Sequence, residues 1–329
     1  MRLHIQNPPD EPFAISRRQW DAALARSPDM AGLAMTMADD DAGFASGMGD
    51  AEILLAATKQ VAQRLPPGAL PGVAPGLRIV SCTSAGLDRL APFNWLPDGV
   101  TLLNNSGAHA DKAGEFGIMA LLMLANHVPH FADNQKQGRW APRFGSVLAG
   151  RTVGVVGLGA LGGAVAMRAR QFGMRVLGVS GGGAPHEHAD EAHPVSNIHA
   201  VLPRCEFLLL ACPLTDATRN LLSRERLLLL PRGAKVVNIA RGQVWDEDAV
   251  CDLLDAGHLG AGVADVAVEE PLPEGHRMWR TPGLLVTPHM SSDDPGTYND
   301  RTLDILFANL RADRAGQPMP NRVDPGRGY

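Results

Sequence analysis

The stretch TVGVVGLGALGGAVA, residues 152–166, decides the reading of the chain. Val153, Val155 and Val156 are the β-branched residues that a central, doubly covered parallel strand favours. Gly157, Gly159 and Gly162 then fall on the G-x-G-x-x-G spacing, with Ala160 and Leu161 leading into a helix. The first glycine permits a tight turn, the second lets backbone approach a pyrophosphate, and the third lets the helix pack closely on the strand. Amide N–H groups at a helix start lack intrahelical partners and bind a diphosphate readily. Glycine-rich turns are common in α/β chains. The strand before this one and the helix after it are what make a dinucleotide site the expectation.

Working outward, residues 151–290 repeat the strand–helix pattern. Strands are expected at the fingerprint, 175–179, 207–212, 235–239, 261–266 and 284–287, six in all, as a doubly wound dinucleotide domain needs. Upstream, residues 1–110 read as a second α/β unit. Its expected strands are 2–6, 32–37, 51–57, 77–82 and 100–104, with a helix over 16–25 and a polar, glycine-containing stretch before 51. Residues 110–127 predict a long apolar helix ended by Pro129. Its apolar positions are too many for one face of a surface helix, so it is read as buried, either inside the core or between subunits. One more helix is expected over 298–315.

Composition narrows the class. A length of 329 residues exceeds what one core usually fills, so two domains are expected. The net charge of −5 comes without blocks of like charge, which argues against nucleic-acid or membrane-surface binding. Cys82, Cys205, Cys212 and Cys251 have no C-x-x-C spacing and read as buried apolar residues of a reducing compartment. The N-terminal MRLHIQNPPDEPF has no signal-peptide apolar core, and no apolar run is long enough to span a membrane. The expected location is the cytoplasm.

In open α/β sheets ligands sit beyond the carboxyl ends of strands, so chemistry is sought there. After strand 235–239 comes Ala240-Arg241-Gly242, whose guanidinium fork suits a carboxylate or, equally, a surface cap. Strand 261–266 contains Asp265 and leads to Glu269-Glu270-Pro271. Strand 284–287 leads to Pro288-His289. A lone histidine is more often structural, but one that shares its sheet edge with an arginine and a carboxylate is a candidate acid–base group.

At this point the chain resembles the D-isomer-specific 2-hydroxyacid dehydrogenases over nearly its whole length. The resemblance rests on V-G-V-V-G-L-G-A-L-G, A-C-P-L-T-D-A-T at 211–218, V-N-I-A-R-G at 237–242, A-D-V-A-V-E-E-P at 264–271 and T-P-H at 287–289, in one order. It implies a doubly wound parallel-sheet (Rossmann) dinucleotide domain, 109–291, and a smaller flavodoxin-like α/β substrate domain, 1–108 and 292–329. It implies an NAD(P)-dependent oxidoreductase interconverting a 2-oxo acid and a D-2-hydroxy acid. Arg241 matches the substrate clamp, His289 the proton donor and Glu270 its carboxylate partner. Ala85 and Gly86, in the loop 83–88, match backbone amides that receive the substrate carboxylate. For the coenzyme the expected contacts are Gly157, Gly159, Ala160, Leu161 and Gly162 at the turn, Ser180 at the next strand end, and Cys212, Pro213 and Thr215. Ile239, Ala240, Asp265 (toward the nicotinamide carboxamide), His289 and Ser291 complete them. The helix after residue 110 matches the one used to form a homodimer.

The chain also departs from the pattern. The second strand ends Val179-Ser180-Gly181-Gly182-Gly183, without the acid that binds the ribose hydroxyls of NAD. Repulsion of a 2′-phosphate is thereby removed, and the balance between NAD(H) and NADP(H) tips slightly to NADP(H). Family members that prefer NADP(H) often carry an arginine after the serine, where this chain has Gly181. His186 and His188 lie close enough in sequence to help bind a phosphate, although a solvated loop is the plainer reading. The spacing of His186, His188 and His193 sets up no coordination geometry, and no metal is expected. Ser291 and Ser292 make the wall after His289 more polar than is common in the family. Two alternatives stand beside the dehydrogenase. One is a corepressor-like protein that binds nucleotide with little turnover. The other is a formate-type dehydrogenase, which pairs its histidine with glutamine where this chain has Glu270.

Overall fold

Alternating strands and helices run through the computed structural model, which describes residues 1–9 and 13–327. The chain begins β1 (Arg2–Gln6), α1 (Arg17–Arg26), β2 (Ala34–Ala38), α2 (Asp41–Met48), β3 (Ile53–Ala56) and α3 (Thr58–Arg64). It continues with α4 (Leu70–Val73), β4 (Ile79–Cys82), β5 (Thr101–Leu103), α5 (Ala110–Ala125) and α6 (Val128–Lys136). Next come β6 (Thr152–Val156), α7 (Ala160–Gln171), β7 (Arg175–Ser180), β8 (Glu191–Pro194), α8 (Ile198–Val201) and β9 (Phe207–Leu210). The last elements are α9 (Arg224–Leu227), β10 (Ala234–Asn238), α10 (Glu247–Asp255), β11 (Leu259–Ala264), β12 (Leu284–Val286) and α11 (Tyr298–Arg314). Two compact units result, Met1–His109 with Asp294–Tyr329, and Ala110–Asp293.

The second unit is a seven-stranded sheet in the order β12-β11-β10-β9-β6-β7-β8, with every pairing parallel. Read from β6, this is the doubly wound order of a Rossmann domain. The six strands expected from sequence become seven. The missed one, β8, reads EAHP, is half-buried throughout and lacks the apolar run that marks a strand. Alternation along the central strands divides the core. Val153, Val155, Phe207, Leu209, Val237 and Val263 face α5 and α7, with Phe116, Leu121, Val165 and Ala169. Val156, Leu208, Leu210 and Val236 face the other way, onto Val250, Leu253 and Leu254 of α10.

The first unit is a five-stranded parallel sheet, β2-β1-β3-β4-β5, the flavodoxin-like order. Part of the stretch read as a polar spacer is a helix, α2. Asp40 caps it by accepting from the Gly43 amide at 2.7 Å, and it buries Phe44 and Met48 four residues apart.

Helix α5 ends at Ala125, two residues earlier than expected. His127, at φ +56°, precedes α6, and Pro129 lies in the first turn of that helix instead of stopping α5. Only one stripe of α5 is buried, including Ala113, Phe116, Ala120, Leu121 and Leu124, while Met119 is 42% exposed. Within this unit the burial of α5 is one-sided. Among the described residues no helix is long and apolar enough to cross a membrane.

The edge strand β8 is tied by charge. Arg204, with Arg175 and His193, holds the Glu191 carboxyl down at about 2. A depressed carboxyl stabilises the fold above the ordinary carboxylate range and ceases to as pH falls from there toward about 2. Glu191→Gln should therefore lower the urea midpoint at neutral pH, and the gap from the parent should close as unfolding is repeated in progressively more acid buffer.

Candidate active site

At the carboxyl end of β6 the chain turns at Gly157, φ +93°, where a Cβ would fall 2.6 Å from the Cys212 backbone. At Gly162 a Cβ would fall 1.8 Å from the Gly157 carbonyl oxygen. Both glycines are thus required by close packing. Gly159 is different, because nothing lies within 4 Å of where its Cβ would stand. It is the N-cap of α7 and supplies no side-chain cap, and the bond from Gly163 N to Gly159 O at 2.8 Å closes the first turn. The amides of Ala160 and Leu161 precede that bond. An open cradle over uncapped amides fits a dinucleotide diphosphate.

The rim is built from neighbouring strand ends. Ser180 ends β7, and its hydroxyl accepts from the Gly183 amide at 3.1 Å. Cys212, 7% exposed, borders the turn through its backbone, its thiol pushed up to about 12 by burial. Pro213 and Thr215 are braced by Thr218, whose hydroxyl donates to Pro213 O at 2.7 Å and accepts from Thr215 N at 2.8 Å. Thr218 closes the motif A-C-P-L-T-D-A-T, and nothing local in that motif announces its bracing role.

Three adjacent strand ends carry the charged groups. Beyond β10, Ile239 and Ala240 are buried and Arg241 is half-buried. Fully buried Asn238 sets this turn, accepting from Ala240 N and donating to Arg241 O, both at 3.0 Å. Beyond β11, Asp265 is 1% exposed. Its carboxylate accepts from Thr287 Oγ1 at 2.6 Å and from the Met290 and Ser291 amides at 3.0 Å. Its carbonyl oxygen accepts from His289 N at 2.7 Å. The turn after β12 is thereby held with His289 at φ +51°.

His289 Nδ1 lies 2.8 Å from Glu270 Oε2, and Glu270 Oε1 accepts from the Ala267 amide at 3.1 Å. A carboxylate only accepts, so Nδ1 carries the proton in this bond and Nε2 is the nitrogen left for another partner. The side chains are 39% and 25% exposed, open enough to meet a small molecule. Ser291, by contrast, is 2% exposed and contributes its amide to Asp265.

In the first unit, Ala85 and Gly86 follow β4 in a half-buried loop. Asn105 Nδ2 donates to Thr83 O at 2.9 Å and to Thr302 Oγ1 at 2.7 Å, and the Tyr298 hydroxyl donates to Thr83 O. Asn105 and Tyr298 carry no local motif that announces this role. His193 is bonded to Glu191 at 3.1 Å, and among the described residues no group of three His, Cys, Asp or Glu side chains is set to hold a metal.

These features define an α/β protein with a dinucleotide-binding turn and a hydrogen-bonded histidine–carboxylate pair. Residues 118–291 match the family model described as D-isomer specific 2-hydroxyacid dehydrogenase, NAD binding domain. The chain is 32% identical to a glyoxylate reductase of Thermococcus kodakarensis, over 76% of this chain and 78% of that one. It is 30% identical to the human glyoxylate reductase/hydroxypyruvate reductase, over 75% and 77%. A D-isomer specific 2-hydroxyacid dehydrogenase from Xanthobacter autotrophicus Py2, solved with NADPH and MES, superposes with TM-score 0.84 at 32% identity, covering 100% of this chain and 99% of that one. The chain belongs to the D-isomer specific 2-hydroxyacid dehydrogenase family. It is an NAD(P)-dependent oxidoreductase that interconverts 2-oxo and D-2-hydroxy acids.

The glycine turn gives a paired prediction. Gly162→Ala should destabilise by about 1–3 kcal/mol, because backbone gives way poorly to overpacking. Gly159→Ala should leave the denaturation midpoint in place yet weaken NADPH binding measured by nucleotide fluorescence.

Proposed function

We propose that this enzyme reduces a short 2-oxo acid, of the glyoxylate or hydroxypyruvate kind, with NADPH as the preferred donor. The observation that carries the reduction of a 2-oxo acid is the Glu270–His289 pair, with His289 on a turn locked by buried Asp265, two strands along from Arg241. The names of the relatives support the substrate class. The acid-free end of β7, Ser180-Gly181-Gly182-Gly183, and the NADPH in the Xanthobacter enzyme support the coenzyme.

A bound nicotinamide coenzyme supplies the hydride to the keto carbon, or accepts it in the reverse direction. His289 Nε2 donates a proton to the keto oxygen, whose negative charge grows as the carbon is reduced. Glu270 accepts from His289 Nδ1 and so holds the imidazole in orientation, with Nε2 left for the substrate. Arg241 clamps the carboxylate and keto oxygen. Gly157, Gly159, Ala160, Leu161 and Gly162 hold the diphosphate. Ser180, the backbone of Cys212, Pro213, Thr215, Ile239 and Ala240 border the coenzyme. In this reading Asp265 and Ser291 act chiefly by holding the turn, since the carboxylate accepts three bonds there and the Ser291 amide supplies one of them.

Assay of glyoxylate, hydroxypyruvate, pyruvate, phenylpyruvate and branched 2-oxo acids against NADH and NADPH tests the proposal. Turnover of the two shortest acids with NADPH supports it, and preference for the bulky acids or for NADH overturns it. His289→Gln should lower kcat by about 10²–10⁴-fold, as loss of a general acid does. Glu270→Gln should lower kcat by about 10- to 100-fold, the worth of a charge-assisted hydrogen bond. Unchanged turnover in either variant removes that residue from the mechanism.

The enzyme is further proposed to be a cytoplasmic homodimer. Its four cysteines are free and buried, as suits a reducing compartment. Trp140 and Phe144, on the extended segment after α6, are 98% and 95% exposed, and Val147 is 74% exposed. Large side chains this bare within one short segment support an interface, and a second copy is the occupant proposed. Sedimentation should give the mass of two chains for the parent and of one chain for a Trp140→Ser, Phe144→Ser variant. A monomeric parent overturns the dimer.

A further inference from the structure

The end of β7 carries no acid to read the ribose of NAD, and the loop that follows it carries two imidazoles, those of His186 and His188. We propose that His186 and His188 bind the 2′-phosphate of NADP(H) and are the specificity-determining residues for that coenzyme. The inference rests on the NADPH reading above and assigns it to side chains.

The segment 181–190 leaves the end of β7 and returns to β8. The sequence alone favours a solvated loop here, and the segment is a largely exposed loop. Both histidines are half-buried, and the His186 ring lies against the first turn of α7. Its Nε2 is 3.1 Å from where a Cβ on Gly163 would stand, one residue beyond the last fingerprint glycine. The missing side chain at Gly163 is what leaves room for the ring.

His186 Nδ1 accepts from the His188 amide at 3.2 Å. The neutral ring therefore carries its proton on Nε2, which is a donor in both protonation states. The His188 ring stands edge-on to it, centroids 5.5 Å apart. An anion at this place also meets the positive end of α7, which has no side-chain cap.

The charged groups nearby are otherwise engaged or solvated. On α7, Arg170 pairs with Asp190 at 3.3 Å, and Arg168 pairs with Asp111 at 3.3 Å. Asp190 Oδ2 also accepts from the Val176 amide at 2.8 Å. On β8, His193 is bonded to Glu191. Glu187 lies 3.7 Å from His188 Nε2, but its side chain is 81% exposed. What remains is the His186 Nε2 donor beside the start of α7, with the His188 ring next to it and only the solvated Glu187 carboxylate close to His188. NADH has no phosphate there and gains nothing from these donors.

The test compares kcat/KM for NADPH and NADH in the parent, His186→Ala, His188→Ala and His186→Arg. His186→Ala should lower the NADPH-to-NADH ratio by about 10- to 100-fold, the loss of one charge-assisted hydrogen bond, and His186→Arg should restore it. A merely structural role would move both coenzymes alike. An unchanged ratio in both alanine variants overturns the assignment while leaving the NADPH reading intact, whereas a parent that prefers NADH overturns both. Should the variants not fold, the parent is titrated with adenosine 2′,5′-bisphosphate and with 5′-AMP while its imidazole proton resonances are followed. Two signals that move with the bisphosphate alone support the proposal, and none doing so overturns it.

Discussion

The turn that carries His289 depends on one buried carboxylate. Asp265 is 1% exposed, and an ionised side chain in such a place is expensive unless its charge is met. It is met by a hydroxyl and two amides, all from the turn that follows β12. The same bonds hold His289 in left-handed backbone, a conformation that costs a non-glycine residue about 1–3 kcal/mol and persists only where the surroundings over-determine it. The cost of burying the charge and the cost of the backbone are thus offset by one set of hydrogen bonds. That set aims the imidazole at Glu270.

The parallel sheet brings these groups together. Strands β10, β11 and β12 are neighbours in one register, so whatever follows each of them emerges at the same edge. Arg241, Asp265 and His289 are far apart in the chain yet adjacent by this rule. Asn238 and Thr287 then refine the edge, one by shaping the backbone at Arg241 and the other by filling an acceptor site on Asp265.

Much of this was legible beforehand because the signals are local. The run VGVV followed by glycines at fixed spacing specifies a buried strand, a turn and a helix, whatever lies around it. Buried parallel strands such as FLLL and AKVVN announce themselves in the same way. What escaped was structure whose stability is not local. The strand EAHP is held by Arg175, Arg204 and its neighbour β7, not by its own apolar content. The helix at 41–48 looked like a polar spacer because only Phe44 and Met48 face the core. Pro129 reads as a helix stop and instead opens the next helix, since a proline suits a first turn as well as it ends a run.

By itself the sequence determined the class of fold, the glycine cradle and the identities of the arginine, glutamate and histidine that populate the strand ends. These follow from side-chain periodicity and from the sterics of glycine, which need no distant partner. Only the tertiary structure decided how those residues are held: the Asp265 carboxylate bonded to the His289 turn, Thr83 gripped by Asn105 and Tyr298, and His186 folded onto the start of α7. Each is a contact between segments separated by many residues, set by hydrogen-bond satisfaction and close packing, which no pattern along the chain encodes.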